Sequence, residues 1–158
     1  MLVWECSKDG LDPQLVAALE TVTDAYCAVA GGELRATSGR RTLRRQAELM
    51  AAMTDLQLLS LYAGHGMPDY IAAIITERGL RNVTEDAVYG ILCNRRDGYI
   101  SAHLFGAAVD LATAGIADLD GLKKILAEHG FSTLDERDAG IPCLHCRFRT
   151  TPTNIVRE

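Results

Sequence analysis

The sequence predicts an α+β fold, a small antiparallel sheet with helices packed around it. Three observations lead there. Apolar residues recur at helical spacing, behind recognisable caps, through most of the stretch from Asp12 to Gly79. Short runs suited to strands stand at 33–37, 107–113 and 141–148, beside turn-forming residues. Their order is mixed, helices first and strands scattered later, which is how an α+β chain reads.

Asp12 followed by Pro13 is an N-cap and first-turn pair, and Leu15, Leu19, Val22 and Tyr26 then lie on one helical face up to about Val29. Gly31 and Gly32 stop that helix. "ELRAT" at 33–37 reads as a strand entering a turn at Ser38 and Gly39. From Thr42 to about Leu61 a helix carries Leu43, Ala47, Met50 and Thr54 along one face, with Gln46, Glu48 and several arginines elsewhere. "YAGHGMPD" is a loop. Pro68 opens a further helix through Ile71, Ile74 and Ile75, stopped near Gly79, and Thr84 with Glu85 and Asp86 starts another, since acids suit the exposed amides of a first turn. "AAVDLAT" at 107–113 is a buried strand. Asp118 or Asp120 caps a helix through Leu119, Leu122, Ile125 and Leu126 that Gly130 ends, and "IPCLHCRF" at 141–148 is the last strand.

With 158 residues, 48% hydrophobic and 23% charged, the chain suits one globular domain. Its formal charge of -5 argues against nucleic acid as the partner, although Arg35, Arg40, Arg41, Arg44 and Arg45 form a local basic group. No apolar run is long enough to span a membrane, and no secretory signal is visible at the start. Five cysteines (Cys6, Cys27, Cys93, Cys143 and Cys146) make an odd set without a disulfide framework, so the expected place of synthesis is a reduced compartment, the cytoplasm. Release by lysis, or carriage in a particle, would still bring such a protein to a cell wall.

The chemistry concentrates in "SAHLFGAAVDL". Asp110 lies in an apolar run, where an unpaired carboxylate is costly, so a metal ion or an arginine is expected beside it. His103 precedes it on a loop, and Gly106 lets the backbone fold back. His145, in "CLHC", is a third candidate, with strand alternation placing Cys143 on its face and Leu144 and Cys146 on the other. Two imidazoles, one carboxylate and an open position make a catalytic zinc shell. His65 and His129 are expected to be ordinary residues, the latter at a helix C-terminus that favours an imidazole.

"SAHLFGAAVD" resembles the Ser-x-His-x-x-Gly-x-Ala-x-Asp signature of the zinc peptidases that include D-alanyl-D-alanine carboxypeptidases, phage L-alanyl-D-glutamate endolysins and the zinc-bearing hedgehog domain. Ser101, His103, Gly106, Ala108 and Asp110 fall in register. "ATSGRRTLRRQAEL" at 36–49 is similar to the family's Ser-Gly-Tyr-Arg-Thr segment with its following Gln-Ala-Glu-Leu, and "LDPQLVAALETV" to the helix before it. The resemblance implies a hedgehog-like or DD-peptidase-like fold and zinc held by His103, Asp110 and His145. It implies that Arg41 anchors a substrate carboxylate or carbonyl, with Arg40 in place of the usual aromatic. The implied substrate is a peptidoglycan stem peptide cut at a D-Ala-D-Ala or L-Ala-D-Glu type bond. Residues 55–98 are hardly covered and are expected to be a helical insertion near the cleft.

Two departures bear on catalysis. The family carries a carboxylate three positions before its third ligand, where this chain has Pro142, and Cys143 stands where several members have histidine. Asp135, Glu136 and Asp138 are the nearby acids, and Asp138 is the expected proton acceptor, its register closest to the hedgehog-like glutamate. Cys143 is open to three readings: a fourth zinc ligand in a closed site, a small core residue, or half of a redox pair with Cys146. Ser101 is expected to brace the turn rather than act as nucleophile. Three functions follow: a zinc hydrolase of stem peptides, a metal-binding structural or binding module without catalysis, as in a phage particle, and a zinc enzyme cutting another amide.

Overall fold

The computed structural model describes residues 1–64, 66–96 and 98–149. In chain order the elements are β1 (Leu2–Trp4), α1 (Pro13–Ala30), β2 (Leu34–Ser38), α2 (Leu43–Ala52), α3 (Asp55–Tyr62), α4 (Asp69–Leu80), α5 (Glu85–Cys93), a 3₁₀ turn (Ala102–Phe105), β3 (Ala108–Ala112), α6 (Leu119–Glu128), β4 (Phe131–Asp135), a second 3₁₀ turn (Glu136–Ala139) and β5 (Cys143–Phe148). They form two compact units, whose described parts are residues 1–40 with 105–149, and residues 41–104.

The first unit is the sheet. Among the described residues it has five strands in the order β1-β2-β3-β5-β4. β3 and β5 are antiparallel to their neighbours, but β1 and β2 run parallel, Leu2 opposite Leu34, so the sheet is mixed where an antiparallel one was expected. The reason is α1, which carries the chain back between β1 and β2 as parallel pairing requires. A three-residue strand, "LVW", is too short to show a period in the sequence. β4 was likewise not expected; it pairs with β5 from Phe131 opposite Phe148 to Asp135 opposite Leu144.

One face of this sheet makes the core. Leu15, Leu19, Val22 and Tyr26 of α1 and Leu122 and Leu126 of α6 pack with Val109, Leu111, Leu144 and Cys146. Alternation along β3 and β5 therefore sends Asp110, Cys143 and His145 to the opposite face. The caps fall as the sequence predicts: Asp12 Oδ1 accepts from the Gln14 amide at 2.8 Å, and Asp118 Oδ1 accepts from the Gly121 amide at 2.9 Å. The Tyr26 hydroxyl accepts from the Asp118 amide at 3.1 Å, which ties α1 to the start of α6.

The second unit is helical. The single helix expected from Thr42 to Leu61 is two, because Thr54 and Gln57 form a capping box: the Gln57 amide donates to Thr54 Oγ1 at 3.2 Å and the Thr54 amide to Gln57 Oε1 at 3.0 Å. α2 packs on α5, α3 on α4 and α4 on α5. Leu43, Met50, Leu58, Ile71, Ile74, Val88 and Leu92 are fully buried and serve packing, while Leu56, Met67 and Leu80 are exposed. Arg78 of α4 donates to the carbonyls of Met50 and Ala51 at 3.0 and 3.1 Å, satisfying the C-terminal end of α2. Among the described residues no helix is long and apolar enough to cross a membrane.

Candidate metal centre

β3 and β5 lie in register with Asp110 directly opposite His145. Residues opposed in this way project to the same face, so the pairing brings carboxylate and imidazole together without any loop. His145 Nδ1 lies 3.0 Å from Asp110 Oδ1. On the other side of β3 the pairing with β2 slips, Ala36 opposing Leu111 but Ser38 opposing Asp110, which leaves Thr37 as the extra residue of a bulge. Thr37 Oγ1 donates to the Asp110 carbonyl at 3.3 Å. The bulge thus sits against the one acidic residue of the strand.

His103 comes from the 3₁₀ turn that leads into β3. Ser101 braces this turn as expected: its Oγ accepts from the His103 amide at 3.3 Å, and its carbonyl accepts from the Leu104 amide at 3.2 Å. Gly106 then turns the chain with φ of 69°, and its carbonyl accepts from the Asp12 amide at 3.0 Å. His103 is 2% exposed and Asp110 7%. One potential ligand atom from each of His103, Asp110 and His145 lies within 4.8 Å of the others.

Compared with known proteins, the chain matches no family model, no curated protein and no solved structure.

The donor set itself fits a divalent metal. Bonds of about 2.0–2.1 Å to a tetrahedral ion separate the ligand atoms by roughly 3.3 Å, and the 3.0 Å contact between Asp110 and His145 is close to such an edge. Two neutral imidazoles and one buried carboxylate would leave at least one position open. Burying a carboxylate in the middle of a sheet is costly unless a positive partner offsets it, and a cation held by this triad would do so.

Arg41 is half-buried. Its amide donates to the His103 carbonyl at 3.2 Å, and its Nη1 donates to Gln46 Oε1 at 3.2 Å. Gln46, expected off the apolar face of its helix, is fully buried, and its Nε2 donates to the Tyr62 hydroxyl at 2.7 Å. Its position, three residues after Leu43 and four before Met50, does lie on the inward face of α2, where its polarity hides it from a reading by apolar residues alone; a neutral amide with both a donor and an acceptor satisfied is cheap to bury. His129 caps α6, its Nδ1 2.8 Å from the Ile125 carbonyl, in keeping with the expected role. His65 lies outside the described residues.

The acids of 135–138 are distributed over the end of β4 and the second 3₁₀ turn. Asp135 is ion-paired with Arg137 at 2.6 Å and lies 3.5 Å from Lys123; the Arg137 guanidinium holds its carboxyl well below the usual range. Asp138 is exposed on the turn. Glu136 is the acid that reaches β5, where its Oε2 accepts from the Cys143 thiol at 3.1 Å.

Cys143 is buried on the face of His145 and is not a member of the triad. Burial first, then the nearby Asp110 and Glu136 carboxylates, push its thiol well above the ordinary range, which favours the protonated donor seen in the bond to Glu136. Cys146 points into the core, on the face of β5 opposite Cys143, an arrangement that keeps the two thiols apart.

Proposed function

We propose that the chain is a zinc-dependent hydrolase of an amide bond in peptidoglycan stem peptides, of the D-Ala-D-Ala or L-Ala-D-Glu type. The observation that carries this reading is the convergence of His103 and Asp110, from one short segment, with His145, which lies 35 residues beyond Asp110. The substrate class rests on the resemblance of 36–49 and 101–110 to the zinc peptidases. His103, Asp110 and His145 would hold the ion, which supplies a Lewis acid for the scissile carbonyl and for the attacking water. Arg41 binds a substrate carboxylate or carbonyl oxygen. Its amide is tied to the His103 turn and its guanidinium to Gln46, so its head is fixed before substrate arrives. A carboxylate of 135–138 takes the proton of the water as it adds to the carbonyl carbon and returns it to the leaving amine. Such an enzyme would act at the cell wall.

A second reading is a metal-bearing structural or binding module without catalysis. Pro142 favours it, since no carboxylate stands three positions before His145. Such a module could use the apolar residues of 55–98 as an interface, but Leu58, Ile71, Ile74, Val88 and Leu92 among them are buried.

Digestion of purified muropeptides by the zinc-loaded protein, read by mass spectrometry with His103→Ala as the blank, separates the two. A new product that needs both zinc and His103 is expected, and its mass identifies the bond. No product from protein carrying one zinc per chain would contradict the hydrolase reading and favour the module.

A further inference from the structure

We propose that Glu136 is the proton-accepting catalytic residue of this site and that Cys143 is its positioning residue. The inference rests on the hydrolase reading above and fills the place that Pro142 leaves empty.

Cys143 and His145 stand two residues apart on β5, on one face of the sheet and about 7 Å from each other along the strand. The carboxylate of Glu136 meets Cys143 on that face at 3.1 Å. The carboxylate therefore meets β5 one same-face position away from His145. The backbone holds it there. Asp135 caps the 3₁₀ turn by accepting from the Arg137 amide at 3.2 Å, and the Ile141 amide donates to the Glu136 carbonyl at 3.1 Å. Gly140, left-handed with φ of 79°, closes the turn so that the chain enters β5 directly.

The neighbouring acids are worse placed. Asp135 is engaged by two cations, which stabilise its charge and lower its basicity. Asp138 is exposed. A thiol is a weak donor, so its bond to Glu136 orients the carboxylate at little cost in basicity, and rotation about the glutamate side chain can exchange that bond for one to water. The step balances without any further reactant: Glu136 takes a proton from water as oxygen bonds to the carbonyl carbon, and gives it to the amine nitrogen as the C–N bond breaks.

The test compares wild type, Glu136→Gln and Asp138→Asn, each zinc-loaded, in the muropeptide digest and in calorimetric binding of acetohydroxamate. Glutamine keeps the shape and can still accept from Cys143. Acetohydroxamate loses its proton on binding a metal, and a carboxylate beside the ion takes and holds it. Glu136→Gln is expected to retain one zinc per chain, lose hydrolysis by about a hundredfold or more, and bind acetohydroxamate about tenfold more weakly. Hydrolysis within about threefold of wild type in Glu136→Gln, or loss confined to Asp138→Asn, would overturn the inference and leave the hydrolase reading intact. If wild type cuts nothing, the hydrolase reading fails by itself. Acetohydroxamate binding unchanged in Glu136→Gln would then also remove Glu136 from the metal.

Discussion

Replacing His103, Asp110 or His145 with alanine is expected to weaken divalent-metal binding by well over a hundredfold. Disturbing only the hydrogen-bond partner behind a ligand typically costs about ten- to a hundredfold, and here a ligand itself is lost. The second consequence is on stability. An ion that binds only the folded chain stabilises it by about 2.7 kcal/mol at a free concentration one hundred times its dissociation constant. Wild type should therefore melt at a higher temperature with zinc than without, and the three variants should not respond. Asp110→Asn separates charge from fold. It keeps the size of the side chain opposite His145 while removing the negative charge, so without metal it should be as stable as wild type or more so, and with metal it should gain little. Calorimetric titration and melting of the four variants check both parts. Unaltered zinc affinity in all of them would place the metal elsewhere.

Gly106→Ala is expected to cost about 4 kcal/mol or to prevent folding altogether, far more than a usual glycine replacement. Two costs coincide there. Gly106 has φ of 69°, which a side chain resists by about 1–2 kcal/mol. A Cβ on it would also stand 2.0 Å from the Gly10 carbonyl oxygen, a backbone atom that cannot turn aside. The turn would have to shift away from the Asp12 amide it now binds, and with it the entry to β3. Gly115→Ala supplies the comparison, because Gly115 has a similar φ of 84° but nothing within 4 Å of the added carbon. It should lose only about 1 kcal/mol. Urea unfolding of both variants measures the difference, and equal losses would show that the approach to Gly10 does not matter.

The parts of this molecule that were legible in the sequence are those fixed by local rules. Asp12, Thr84 and Asp118 cap helices because a short polar side chain before an apolar-periodic run has one favourable use. The strand alternation that puts His145 on one face and Leu144 and Cys146 on the other follows from the pleat alone. Asp110 and His103 were legible because a carboxylate in "AAVDLA" requires a partner. What depends on pairing partners was not. The parallel β1–β2 pair involves a strand too short to show a period, and in the strand at 131–135 the apolar residues Phe131 and Leu134 do not alternate with a period of two. The break between α2 and α3 was missed because the apolar face continues through Thr54, while the capping box that interrupts it lies in two polar side chains. Gln46 and Tyr62 behind Arg41, and Glu136 on Cys143, are tertiary contacts between residues with no shared pattern in the sequence.

X-ray absorption at the zinc edge of the metal-loaded protein tests the central claim, an open site made by His103, Asp110 and His145, most directly. The predicted result is a shell of nitrogen and oxygen alone at about 2.0–2.1 Å, with the outer scattering of two imidazoles. A sulfur scatterer at about 2.3 Å would make Cys143 a fourth ligand and the site a closed, structural one. It would contradict both the open position and the thiol seen donating to Glu136.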